Sequence, residues 1–290
     1  MQRKRQRTGP DWSVAGELVA FPAAAGRRPR MLDGFYRPAA AKRAPLVAFV
    51  HGMGSNFYRS GLKKAFLETA PARGCAVLSF NNRGAERGTE DENFSACLAD
   101  LDAALAFARR RGHRKIVFVG HSTGCQKIAF WQARRRHPGV AGLVLLAPAD
   151  DYAVTRQDFG ARFEAKVAWA RRQVAQGRPG APVVGRYERF TAARFLSLAD
   201  PRRAEANVFR YAGPLTQFRR VKCPVLAVFG ENEEFAAIPP ADMLAILRRK
   251  TQSRRFADWL IPGADHGFHG METELAEAVC RWVREVAPCG

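Results

Sequence analysis

The sequence predicts an α/β protein: a mostly parallel sheet with helices on both faces and a helical cap inserted late in the chain. Three observations predict it. Short, almost unbroken apolar runs (PLVAFV, CAVLSF, KIVFVG, VAGLVLLAP, PVLAVFG) alternate with helix-length amphipathic segments, the pattern of strands buried on both faces. Gly, Asn or Pro follows most of these runs, where a chain must turn sharply. From Asp151 to about Arg220 the alternation stops and no strong strand pattern occurs.

The elements follow in order. GELVAFPA and MLDGFYRP, punctuated by Pro and Gly, read as an antiparallel opening pair. PLVAFVHG is a strand ending at Gly52, and GLKKAFLETAPARG a helix with a Gly stop. CAVLSFNNRG is the next strand. SACLADLDAALAFARRRG places Leu and Ala at helical spacing, with a basic last turn before Gly112. KIVFVG is a strand, CQKIAFWQARRRHPG a helix ending before Pro138, and VAGLVLLAP a strand. WARRQVAQ and AARFLSLA then read as helices, interrupted by GRPGAPVVG. PVLAVFG and FADWLIPG complete the strands, with helical PADMLAILRRK between them and METELAEAVCRWVREV at the end. The expected organisation is a basic tail over 1–15, a core over 16–150 and 221–290, and a helical cap over 151–220.

Composition narrows the function classes. Apolar residues form 47% of the 290, enough to fill one large core. Basic residues outnumber acidic ones 47 to 27, for a net charge of +20, and most are arginine. Such a balance suits anionic partners, but no zinc-finger or RNA-binding aromatic motif accompanies it. The charge reads as solvated faces, and no specific nucleic-acid partner is expected. The six cysteines are scattered without a C-x-x-C pair, so neither a disulfide framework nor a zinc site is expected. His and Cys show no metal-ligand spacing, and HGMGSN lacks the Lys-Ser/Thr of a phosphate loop. No cofactor and no metal are expected. No apolar run reaches the roughly 18–20 residues of a membrane span, and MQRKRQRTGPDW precedes no apolar signal region. These features suggest a cytoplasmic setting.

Ligands of open α/β sheets sit beyond the carboxyl ends of the strands. The segments there are HGMGSN, GHSTG, GENEEF and PGADHGF, which put a serine, several carboxylates and a histidine on one edge. GHSTG fits G-x-S-x-G: Gly120 and Gly124 permit a sharp strand-to-helix turn that holds Ser122 up as a nucleophile. The backbone N–H after it can face a developing oxyanion. Serine needs a histidine base, and that imidazole needs a carboxylate to hold its tautomer.

VFVGHSTG, with HGMG upstream and IPGADHGF near the end, resembles the α/β-hydrolase superfamily from about Gly16 onward, apart from the cap. GHSTGCQ, with FNNRG and LLAPADDY, is also similar to a smaller group of serine hydrolases that includes fungal siderophore esterases. The resemblance implies an α/β-hydrolase fold. It implies oxyanion N–H groups from Met53 and Thr123, with His51 packing the turn and His121 structural. It makes His266 the base, with His269 three residues on as its rival. The superfamily acid commonly lies three residues after the glycine closing the penultimate strand. Glu233 takes that place, a departure from the usual Asp; Glu234 adjoins it. Some relatives carry the acid after an earlier strand, which keeps Asp150 and Asp151 open. Serine at the elbow, where dehalogenases and epoxide hydrolases of this fold carry Asp, implies acyl transfer to water. The implied activity is a serine hydrolase of the esterase type. It would cleave a small-molecule carboxylic ester or thioester through an acyl-enzyme on Ser122. The alternative is a hydrolase-fold protein that binds a ligand or partner without turnover. Phe159, Phe163, Trp169, Phe190 and Phe195 either pack the cap or line an apolar pocket whose rim arginines attract an anionic substrate. Arg83 is either a substrate contact or part of a loop salt bridge.

Overall fold

A computed structural model describes residues 12–24, 29–186 and 189–288; the expected basic tail lies outside them up to residue 11. The chain first lays down β1 (Glu17–Ala23), β2 (Arg30–Arg37), β3 (Leu46–Val50), β4 (Ala76–Phe80), β5 (Ile116–His121) and β6 (Val140–Leu146). A short ribbon follows, β7 (Pro182–Val184) with β8 (Arg189–Thr191), and then β9 (Val225–Gly230) and β10 (Phe256–Ile261). All but the ribbon join one eight-stranded sheet ordered β1-β2-β4-β3-β5-β6-β9-β10. β1 pairs antiparallel with β2, and β2 antiparallel with β4; every other pairing in this sheet is parallel.

Burial follows from sheet position. The central strands β3, β4 and β9 are buried at every residue, as near-continuous apolar runs require. β1 alternates buried and exposed residues because one of its faces meets solvent. β10, at the far edge, is only partly buried, and its Asp258 pairs with Arg248 of the neighbouring helix.

Helices α1 (Gly61–Ala72), α2 (Cys97–Arg110) and α3 (Thr123–Arg135) alternate with the first parallel strands. The segment after β6 holds α4 (Asp151–Phe159), α5 (Phe163–Ala175), α6 (Ala192–Ala199) and α7 (Thr216–Arg219). Helices α8 (Pro240–Lys250) and α9 (Glu272–Val286) complete the chain. α1 packs against α9, and α2 against α3. Local sequence fixes the starts: the Ser60 side chain accepts from the Lys63 N–H at α1, and Pro240 opens α8.

The segment between β6 and β9 has its own apolar cluster, in which Tyr152, Phe159, Phe163, Val167, Phe190 and Phe195 are buried. Trp169 packs against it, partly buried. These aromatics therefore form that segment's own core. The ribbon departs from the all-helical expectation for this stretch: Val183 and Phe190 pair across it and are buried within the cluster. A buried ion pair ties the segment down. Glu92, ahead of α2, lies 2.5 Å from Lys127 of α3 and 3.4 Å from Arg194 of α6.

Among the described residues, Cys75, Cys97, Cys125 and Cys280 are buried thiols and Cys223 is partly exposed; none is in a disulfide. No helix among them is long and apolar enough to cross a membrane.

Candidate active site

β5 runs into α3 through the GHSTG turn. Ser122 has φ 55° and ψ −128°, a conformation that costs a residue with a side chain about 1–3 kcal/mol. Hydrogen bonds hold it there: the Ser122 N–H donates to the Leu146 carbonyl at 2.9 Å, and the Cys125 N–H to the Ser122 carbonyl at 2.8 Å. The two glycines make the turn sterically possible. A Cβ on Gly120 would sit 2.6 Å from the Cys125 nitrogen, and one on Gly124 only 2.2 Å from the Val50 carbonyl oxygen. Gly124→Ala must therefore push α3 off β3. The expected loss is about 1–3 kcal/mol or more, read as a lower denaturant midpoint. Gly88→Ala, where an added Cβ meets nothing within 4 Å, serves as the control.

The loops after β9 and β10 are stitched together. The Asn232 N–H donates to the Ala264 carbonyl at 2.8 Å and the Glu231 N–H to that of Ile261 at 3.0 Å. Gly230 permits this approach, since a Cβ there would lie 2.3 Å from the Ala264 oxygen. Glu233 and His266 meet as a result. The His266 Nδ1 donates to Glu233 Oε1 at 2.6 Å, so Nε2 carries the free lone pair. The Glu233 side chain is fully buried, and its Oε1 also accepts from the Phe235 N–H at 3.0 Å. Glu234 takes a different contact: its Oε2 accepts from the His266 backbone N–H at 2.7 Å.

The other candidates go elsewhere. Asp150 spends both oxygens on backbone, capping α4 through the Ala153 N–H at 2.9 Å and accepting from the Tyr211 N–H at 3.0 Å. His269 is exposed and paired with Asp265 at 2.7 Å. His51 is buried and donates from Nδ1 to the Gly52 carbonyl at 2.8 Å; burial, with Lys127 nearby, lowers its pKa to about 3. His121 donates from Nε2 to the His266 carbonyl at 2.8 Å. Burial, with the neighbouring His266, lowers His121 to about 3 as well, so it ties the His266 loop to the elbow as a neutral ring. Arg83 is held by Asp100 at 2.6 Å, which makes it a loop salt bridge.

Met53 and Thr123 flank Ser122 in a cavity of about 290 Å³, together with Gly52, His121 and His266. Gly52 lies close enough that a Cβ on it would be 2.9 Å from that of Ser122. No acceptor among the described residues takes the Met53 or Thr123 N–H, which leaves both donors for a ligand oxygen. The remaining lining includes Ala149, Val154, Phe190, Leu198 and Phe235, with Asp151, Thr155 and Asp158. No lysine or arginine is among the described residues that line it.

Two features go beyond the sequence reading. Asp151, left open there as the acid, lines the cavity while Glu233 takes the His266 Nδ1, and burial raises the Asp151 carboxyl to about 7. Lys63 of α1 is buried, and its Nζ donates to Ser55 Oγ at 2.8 Å; burial lowers its pKa to about 8. Ser55 belongs to the HGMGS turn and lines the cavity. Lys63 and Lys64 are adjacent, and no local sequence signal separates the buried lysine from its neighbour.

The sheet order, the strained serine and the histidine–carboxylate loops define an α/β-hydrolase architecture. A family model described as the alpha/beta hydrolase family matches residues 47–278, and the chain belongs to that family. Comparison with curated proteins finds no match. Among solved structures, the chain is similar to Est1E from Butyrivibrio proteoclasticus, at 17% identity and TM-score 0.67 over 94% of this chain and 99% of that one. It is similar to the siderophore hydrolase EstB from Aspergillus fumigatus, at 15% identity and TM-score 0.68 over 96% and 100%. It is also similar to a thermostable carboxyl esterase from Bacillus coagulans, at 11% identity and TM-score 0.71 over 94% and 99%.

Proposed function

We propose that the protein hydrolyses a small-molecule carboxylic ester or thioester through an acyl-enzyme on Ser122. The observation that carries this reading is the strained Ser122 beside Met53, Thr123 and His266 in one cavity, with His266 held by buried Glu233. Ser122 Oγ attacks the carbonyl carbon while His266 Nε2 accepts its proton. The tetrahedral oxyanion accepts from the Met53 and Thr123 N–H groups. His266 then protonates the leaving alcohol or thiol, and water clears the acyl group by the reverse proton path. Glu233 stabilises the imidazolium formed in each half. The carboxyl esterase and the siderophore hydrolase among the structural neighbours support hydrolytic chemistry of this kind. The absence of a lysine or arginine from the described cavity lining favours a substrate without an anionic group there.

The test is hydrolysis of 4-nitrophenyl butyrate together with labelling by a fluorophosphonate. Wild-type protein is expected to do both, and Ser122→Ala neither. Labelling that persists in Ser122→Ala would remove Ser122 as the nucleophile. A wild-type protein that neither labels nor turns over ester would favour ligand binding without catalysis.

A further inference from the structure

The cavity wall supplied by α4 is charged in an unexpected way. Asp151, Val154, Thr155 and Asp158 line the cavity, and their i, i+3, i+4, i+7 spacing puts them on one face of the helix. Asp158 accepts from the Arg186 N–H at 3.2 Å. The Thr155 hydroxyl donates to the Asp151 backbone carbonyl at 2.6 Å, which leaves the Thr155 oxygen's lone pairs open. The Asp151 carboxylate accepts no hydrogen bond from any described residue, whereas its neighbour Asp150 is fully engaged.

We infer that Asp151 anchors a protonated amine of the substrate, so that the preferred ester carries an ammonium group in the same cavity as its scissile carbonyl. This rests on the ester-hydrolase reading above and names the substrate class for it. Three observations converge on a cation. Of the groups whose positive charge acts on Asp151, Arg194 and Lys127 are committed to Glu92 and do not line the cavity, and His266, which does line it, is held through Nδ1 by Glu233. The carboxylate therefore lines the cavity, partly buried and without a hydrogen-bond partner among the described residues, and burial raises its pKa; a bound cation would offset that cost. Phe190 and Phe235 line the same space, and aromatic rings attract ammonium groups. An acid at the first turn of α4 also complements the helix dipole, but that role does not depend on which substrate is present.

The experiment compares isosteric esters by kcat/KM, with the Ser122→Ala rate subtracted as background. On the acyl side these are the 4-nitrophenyl esters of 6-aminohexanoate and heptanoate. On the alcohol side they are 5-(dimethylamino)pentyl butyrate and 6-methylheptyl butyrate. The expected result is a preference of about tenfold or more for the cationic member of at least one pair. Asp151→Asn should bring that ratio to about one, and Asp151→Glu should retain part of it. Both variants are first checked for wild-type melting behaviour. A ratio at or below one in both wild-type pairs overturns the inference, as does a ratio that survives Asp151→Asn. Ser122-dependent hydrolysis of the neutral esters would still uphold the esterase reading in either case. Loss of all turnover and of fluorophosphonate labelling in the wild type would overturn both.

Discussion

Truncating Glu233 to alanine is expected to lower kcat/KM for 4-nitrophenyl butyrate by about 10³–10⁴-fold. The cause is the 2.6 Å contact between Glu233 Oε1 and His266 Nδ1. Without it, neither the tautomer that leaves Nε2 free nor the imidazolium that follows proton transfer is favoured. Glu233→Asp shortens the reach by one methylene and should fall between alanine and wild type. Glu234→Ala is the informative comparison, because among the described residues Glu234 accepts from the His266 backbone N–H and not from its ring. That contact fixes the loop rather than the ring, and its loss should cost less than about tenfold. Asp150→Asn keeps one capping acceptor at α4 and should likewise leave most of the rate. The expected ranking is Glu233 far ahead of the other two, measured as kcat/KM and as the rate of fluorophosphonate labelling. A larger loss in Glu234→Ala or Asp150→Asn would move the acid to that position.

The residues legible in the sequence are those whose chemistry demands a special backbone. Gly120, Ser122 and Gly124 declare a turn because a Cβ on either glycine would collide with neighbouring backbone at 2.6 Å or less. The buried strands declare themselves as unbroken apolar runs, and the helix read from AARFLSLA coincides with Ala192–Ala199. The sheet edge put a carboxylate cluster and a histidine together, and the resemblance to the α/β-hydrolase superfamily singled out Glu233 and His266 among them. What stayed hidden depends on partners distant in sequence. Lys63 reads as a solvated lysine until its Nζ is seen against Ser55. His121 reads as a filler of the elbow until its ring reaches the His266 carbonyl, 145 residues away. Asp151 reads as one of several candidate acids, and only the fold shows that it lines the cavity. The ribbon of β7 and β8 is three residues per strand, too short for an alternating pattern to register.

Glu92→Ala is expected to produce the largest loss of stability, about 3–5 kcal/mol. Glu92, Lys127 and Arg194 bury their side chains to 1% exposure or less, with Glu92 between the two cations. Gly84 makes room for the carboxylate, since a Cβ there would lie 2.5 Å from it. Removing Glu92 strands two buried cations in a low-dielectric space. Lys127 keeps a bond to Asn82 Oδ1 at 2.6 Å, and Arg194 one to Ser197 Oγ at 2.7 Å. Those neutral acceptors cannot replace a countercharge. The damage reaches the active site by a short path, because Lys127 lies on α3 directly after the elbow and Arg194 on α6 of the segment that carries Phe190. Glu92→Ala should therefore lower the denaturant midpoint and expose the 151–220 segment to protease before the core unfolds. The triple variant Glu92→Leu, Lys127→Met, Arg194→Met removes all three charges together and should recover most of the loss, because the desolvation cost disappears with the ions. A Glu92→Ala loss below about 1 kcal/mol would place these ions in the class of solvated surface pairs. The segment would then owe its attachment to apolar contacts and to backbone bonds such as that from the Thr191 N–H to the Glu90 carbonyl at 2.8 Å.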